Sequence, residues 1–392
     1  MSGDRPIPYS RQSIDRDDID AVVEVLSSSW LTTGPKVAQF EAEIAEYSQC
    51  GFGVSFANGT AALHGMMNAI GVEPGDEVIV PAITFVASAN AVLYQGGTPV
   101  FADVCADRML IDPADVERKI TPNTKAILAV DYAGHPCDYH RLRQIADRHG
   151  LVLLADASHS LGSTIDGVSA ASLADLASFS FHPVKPITTG EGGMVVGSRE
   201  DWQSRLKSFR GHGIDVDFRQ RAEKQDWRYQ MESLGYNYRL SDIQAALGLS
   251  QLRKMDNALQ AKEEIAQRYR QSLKELSPWI EPLVQQDGTR HSWHLFVIRW
   301  KSDVEIYDRD WLFRQMRTQG IGVNVHYEPV YWHPYYQQSV PSARQARCPV
   351  AERQIHQVLS LPIFAGMTEK EFGRVVKVLH HACQHTQVLR VA

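Results

Sequence analysis

No run of apolar residues in the 392-residue chain approaches the roughly 20 that a membrane-spanning helix requires. The first residues, MSGDRPIPYSRQ, also lack the apolar core of a signal peptide. A cytoplasmic protein with no membrane association is therefore expected. Cysteine is scarce: five residues, Cys50, Cys105, Cys137, Cys348 and Cys383, with no C-x-x-C pair. Such an odd, dispersed set fits reduced thiols better than a disulfide framework. There is no basic excess either. Forty Lys and Arg face 46 Asp and Glu for a formal net charge of −6, so no overall field draws the chain to nucleic acid or anionic lipid. A G-x-G-x-x-G loop after a strand is missing, which argues against a dinucleotide-dependent oxidoreductase. Repeats, low-complexity tracts and Gly/Ser linkers are likewise missing. What remains is ordinary globular composition, 44% apolar and 22% charged, in a chain long enough for one large core and a smaller second one.

Helical and extended patterns alternate from residue 15 to about 250. Ile19, Val22, Val23 and Leu26 follow the spacing of one helix face. Leu63, Met66, Met67 and Ile70 repeat it, with Gly71 as a C-terminal stop, and Asp112–Pro113 caps a third helix. Short apolar runs at 77–80, 99–101, 126–130, 151–155, 177–181 and 194–196 suit buried parallel strands. This alternation predicts an α/β domain with a mostly parallel sheet and functional residues in loops beyond the strands' carboxyl ends. Near Met255 the pattern changes. A long helix through Ile265, Tyr269, Leu273 and Leu276 precedes a strand at 295–300, a helix at 311–319, strict alternation at Ile321, Val323 and Val325, and a last helix from about Glu369 to Ala382. The expected organisation is an N-terminal arm (1–14), a large α/β domain (15–255) and a small α+β domain (256–392).

The chemistry concentrates in SFSFHPVKPITTGEGGMVV. Lys185 lies between Pro183 and Pro186, in a stiff loop just after a strand. Most loop lysines are only solvated charges. Upstream, however, the apolar run LVLLADASHSLG ends in Asp156, a carboxylate that is costly to bury without a cation or hydrogen-bond donors. The two could form a structural ion pair. They also match the needs of pyridoxal phosphate: an amine to hold its aldehyde as a Schiff base, and an anion against the pyridine nitrogen. Gly59 and Thr60, opening the helix of FANGTAALHGMM, offer a phosphate site together with Ser180. Phe85 follows a strand end and could cover the ring, and His159 could reach its phenolic oxygen. Each residue alone has an ordinary structural explanation; their order along the chain is what is specific.

That order, with the segments DYAGHP, ADASHSLG, SFSFHPVKPITTGEGG, GYNYRLSDIQAALGLSQL and VNVHYEPVY, resembles the DegT/DnrJ/EryC1/StrS sugar aminotransferases over nearly the whole chain. The resemblance implies a fold-type I, aspartate aminotransferase-like architecture and a homodimer with shared active sites. It assigns Lys185 as the Schiff-base lysine, Asp156 to the pyridine nitrogen and His159 to the phenolic oxygen. Thr60 and Ser180 would hold the phosphate, joined by Asn237 of GYNYR from a second subunit. Substrate contacts would come from Tyr9, from Trp30, Leu31 and Thr32, from Arg239, and from His326 and Tyr327. L-Glutamate would donate the amine, with pyridoxamine phosphate between the half-reactions.

Within the family, FHPVKPITTGEGG and VHYEPVY most resemble the branch acting on UDP-4-keto-6-deoxy-L-AltNAc in pseudaminic acid biosynthesis. Other UDP- or dTDP-keto sugars, aminated at C3 or C4, and a non-enzymatic pyridoxal phosphate-binding regulator are the alternatives. Relatives that dehydrate sugars carry histidine at the lysine position, and Lys185 argues against that activity. The stretch between Gly213 and Tyr229 is unusually charged, where such loops vary with substrate. His381 and His385 of HHACQH could share a helix face but lack a third ligand with fitting spacing, so no metal is expected.

Overall fold

A computed structural model describes residues 5–214, 225–302 and 304–388, so most of the charged stretch after Gly213 lies outside the described residues. Seven strands form the main sheet: β1 (Phe52–Phe56), β2 (Glu77–Pro81), β3 (Thr98–Ala102), β4 (Thr124–Val130), β5 (Val152–Asp156), β6 (Leu176–Ser180) and β7 (Gly193–Gly197). Their spatial order is β1-β7-β6-β5-β4-β2-β3. Strands β2 to β6 are parallel, and β7 runs antiparallel between β1 and β6. Val78, Ile79 and Val80, like Leu153, Leu154 and Ala155, are fully buried, as expected for strands covered on both faces. The expected runs all appear, each within one or two residues, but the run at 194–196, expected to be parallel, is the antiparallel β7. Among the main-sheet strands, β1 escaped the sequence reading. Its FGVSF carries a glycine of low strand propensity, and that glycine lets the helix at Pro35–Tyr47 approach: a Cβ at Gly53 would lie 2.5 Å from the Glu41 carbonyl oxygen.

Helices α1 (Arg16–Leu26) and α2 (Pro35–Tyr47) precede the sheet. Between the strands come α3 (Gly59–Ala69), α4 (Val86–Tyr94), α5 (Pro113–Arg118) and α6 (Tyr139–His149); α7 (Glu200–Arg210), α8 (Asp242–Arg253) and α9 (Met255–Leu273) follow. The apolar face anticipated on α1 is not its inner one. Ile19, Val23 and Leu26 are half exposed, while Asp18 and Val25 are buried. Asp18 faces inward because its Oδ2 is held: it accepts from the Asp15 amide in a capping box, from Lys254 Nζ at 2.7 Å and from Gln251 Nε2 at 2.8 Å. A specific buried charge pair has overruled the hydrophobic periodicity.

A second, antiparallel sheet joins β8 (Ile280–Pro282), β9 (Phe296–Trp300) and β10 (Val358–Leu361) in that order. It packs a separate core with Tyr269, Trp293, Leu312, Leu379 and Ile7 of the N-terminal arm. The segment from Val330 to Val358 packs instead into the larger core, so the interior does not divide at residue 255 in a single cut. The alternation at Ile321, Val323 and Val325 buries Ile321 and Val323 as expected. That segment nevertheless makes only isolated bridges, Ile7 to Ile321 and Asn324 to Ser360, and no strand ladder. No helix among the described residues is long and apolar enough to cross a membrane.

The first residue of α8 fastens α2. Buried Asp242 accepts from the Gly34 amide at 2.5 Å and the Lys36 amide at 2.9 Å. Asp242→Ala would strand these donors and is expected to cost about 2 kcal/mol, read as a lower urea midpoint with an unchanged m-value.

Candidate active site

Because β1, β2, β5 and β6 point the same way, the loops after them gather on one rim. There a cavity of about 680 Å³ is lined by Tyr9, Gly59, Thr60, Phe85, Asp156, His159, Ser180, Lys185, His326 and Tyr327, each anticipated from the sequence. One corner is the start of α3. Asn58 caps it by accepting from the Ala61 amide at 2.8 Å, leaving the Gly59 and Thr60 amides in a first turn that has no intrahelical acceptors. Ser180 closes this corner from β6. A Cβ at Gly59 would sit 2.8 Å from the Ser180 Cβ, so glycine is needed for the approach. Free amides, the positive helix end and a hydroxyl make a cradle for a phosphate.

Asp156 ends β5, 6% exposed. Its Oδ2 accepts from Ser88 Oγ at 2.6 Å and its Oδ1 from the Ser158 amide at 3.2 Å; Ser88 Oγ is in turn 2.7 Å from Thr84 Oγ1. No lysine or arginine among the described residues pairs with it directly, so a buried anion faces the cavity ready for a cation. Lys185 is half-buried over the whole residue, yet surrounded closely enough that desolvation pushes its amine down to about 8, against the opposing pull of Asp156.

Histidines fill the floor. His159 and His294 are buried with ring centroids 4.0 Å apart, and neither Nδ1 has a hydrogen-bond partner. Burial, then the Lys185 charge, holds His159 well below the usual imidazole range, so the ring is neutral at pH 7. Burial does the same to His294, helped by His159 and Lys185. His159 Nε2 lies 3.5 Å from the Tyr327 hydroxyl, and the Phe85 ring stands 5.9 Å from that of Tyr327 at the cavity edge. His326 is pushed down to about 4, mainly by burial; its Nδ1 lies 2.8 Å from Ser360 Oγ, and its ring is 5.6 Å from Tyr9.

Residues 12–380 match the DegT/DnrJ/EryC1/StrS aminotransferase family. The chain belongs to that family. The spore coat polysaccharide biosynthesis protein SpsC of Bacillus subtilis (strain 168) is 36% identical over 375 residues, covering 95% of this chain and 96% of SpsC. Among solved structures, the putative sugar aminotransferase Spr1654 of Streptococcus pneumoniae in its PMP form superposes with a TM-score of 0.91 at 30% identity, covering 97% of this chain and all (100%) of that one. PseC of Helicobacter pylori, an aminotransferase involved in the biosynthesis of pseudoaminic acid, gives 0.90 at 33% identity with 97% and 100% coverage. The fold is that of the pyridoxal phosphate-dependent sugar aminotransferases, and membership of this enzyme family displaces the reading as a non-enzymatic regulator.

The residues present fit the family's cofactor: an unpaired buried carboxylate, an amine of lowered basicity and an empty-handed helix start share one cavity. Five anticipated residues do not line it. Trp30, Leu31 and Thr32 lie on an exposed segment tied to α8 by a Thr32–Ser241 bridge and the Asp242 amide bond to the Leu31 carbonyl. Asn237, exposed, bridges Gly211, and Arg239 follows two residues on; between them only Tyr238 reaches the cavity. Sequence reasoning missed Asn58, Ser88, Tyr238 and His294. The cap residue Asn58 was legible as one. His294 was not, because nothing local relates it to His159. His381 and His385 lie far along the last helix, where His385 Nδ1 is 2.7 Å from the His381 carbonyl oxygen, a contact within the helix itself.

In cofactor-free protein, acylation of Lys185 followed by peptide mass mapping is expected to titrate with a midpoint of about 8. Asp156 raises that value, so Asp156→Asn is expected to move the midpoint lower still.

Proposed function

We propose that this family member transfers an amino group from L-glutamate to C4 of UDP-4-keto-6-deoxy-L-AltNAc, a UDP-linked 4-keto-6-deoxy-N-acetylhexosamine, in pseudaminic acid biosynthesis within the cytoplasm. The observation that carries the reaction is the meeting of Lys185, Asp156 and the α3 cradle in one cavity. Likeness to PseC supports the sugar.

Pyridoxal phosphate bound there supplies an electron sink for the pair left behind when a proton leaves the amine-bearing carbon. The chain's residues do the rest. Gly59 and Thr60 amides with the Ser180 hydroxyl bind the phosphate. Asp156, oriented by Ser88 and the Ser158 amide, holds the ring nitrogen protonated. Phe85 covers the ring and His159, neutral, faces the phenolic oxygen. With the cofactor bound, Lys185 would hold its aldehyde carbon; released by the incoming donor, its neutral amine would take the proton from the donor's α-carbon and deliver it at C4′. The second half-reaction runs the same transfers in reverse on the keto sugar, with Tyr9, His326 and Tyr327 around the substrate.

Asn237 and Arg239, with Trp30, Leu31 and Thr32, serve a second subunit's cavity in this reading. Supporting it, the large apolar side chains Trp30, Leu31 and Leu234 of these same segments are 41%, 48% and 73% exposed. Similarity to SpsC favours a second reading of the substrate, another UDP- or dTDP-keto sugar aminated at C3 or C4.

Incubation with glutamate and a panel of UDP- and dTDP-keto sugars, followed by NMR of the product, is expected to give the 4-amino UDP sugar; a C3 amine on a dTDP carrier would refute the substrate assignment. Lys185→Ala is expected to lower turnover by about 10³-fold or more. Mixing inactive Lys185→Ala and Asn237→Ala subunits is expected to restore activity, through the one intact composite site of each mixed dimer.

A further inference from the structure

Away from the catalytic cavity, the loop of DYAGHP meets the segment His291–Val297 around a small closed pocket of about 20 Å³. Two imidazoles line it, and a backbone amide fixes the tautomer of each. The Gln286 amide donates to His135 Nε2 at 3.0 Å, so the neutral ring carries its proton on Nδ1, and that buried nitrogen has no partner. The Trp293 amide donates to His291 Nδ1 at 2.8 Å, which leaves the proton on Nε2. The two residues are 4% and 6% exposed. Burial, reinforced by Arg108 and Arg270, pushes His135 down to about 4, so the neutral form applies at pH 7.

Arg108 Nε is a third buried donor without a hydrogen bond, although Asp107 Oδ1 lies 3.5 Å from it. Arg270 also lines the pocket and spends one donor on the Leu283 carbonyl at 3.2 Å. No lining side chain is a carboxylate or amide, and the hydroxyl of Tyr132 is committed as a donor to the His326 carbonyl. The pocket therefore presents donors and two guanidinium charges, and no side-chain acceptor. For its two protons a water would find only backbone carbonyls, such as that of Leu283, which already accepts from Arg270. A monatomic anion has none to place, and the volume admits little beyond one such occupant.

We infer that this pocket binds one chloride-sized monovalent anion, held by Arg108 and His135 of the main-sheet loops and by Arg270 and His291 from the other side. The site fastens a segment that matters. Ser292, next to His291, donates its amide to the Gly134 carbonyl at 3.1 Å and its hydroxyl to the His159 carbonyl at 2.5 Å, and His294 stacks on His159.

Crystals of the full chain grown in sodium bromide test this directly. The expected result is one anomalous peak within hydrogen-bond distance of His135 Nδ1 and Arg108 Nε. In solution, chloride or bromide should raise the melting temperature saturably, by about 2 °C over gluconate at equal ionic strength. Arg108→Met should abolish that increment. If this variant does not fold, the bromide map and the wild-type melting series still decide. Water without anomalous signal would overturn the inference, as would equal melting in chloride and gluconate; a peak without any halide-dependent stabilisation would mark an adventitious ion only.

Discussion

A carboxylate and an amine held within electrostatic reach, yet not joined as an ion pair, set the terms for the rest of the molecule. Asp156 closes β5 and Lys185 follows the neighbouring β6, so the parallel pairing of those strands places the two on one rim. Direct contact would neutralise both and leave the cavity chemically idle. Instead Ser88 and the Ser158 amide hold the carboxylate, while burial lowers the basicity of the amine.

Keeping such charges useful requires neutral surroundings. The three buried histidines of the cavity, His159, His294 and His326, are all driven toward the neutral form, first by burial and then by one another's or the lysine's charge. They supply stacking surface and oriented nitrogens without adding cations that would compete with a bound ring. The second core contributes to this arrangement, because Ser292 and His294 come from the segment leading into β9. The floor of the candidate site is thus a seam between two separately packed cores, and the donor-rich pocket around His135 and His291 lies on that same seam.

Much of this was readable along the chain. Buried parallel strands announce themselves as unbroken apolar runs, and a charge can mark their ends; Asp156 was found that way, Lys185 as a lysine between two prolines just after such a run, Ser180 from its place before that lysine, and Gly59 from the start of a helix. The order of those residues, with the long motifs around them, carried the family resemblance. Local rules failed where a specific long-range contact outweighed them: in α1, where the Asp18–Lys254 pair turned the helix, and in β1, where Gly53 serves the approach of α2.

The sequence alone determined the alternation of strands and helices, the caps, and which side chains could do chemistry at pH 7, since these depend on neighbours a few residues away. Tertiary structure decided the rest. Which groups share a cavity, which histidine stacks on His159, which face of α1 points inward and which tautomers His135 and His291 must adopt all depend on atoms brought together from distant parts of the chain. Burial and through-space charge act only once that chain has folded.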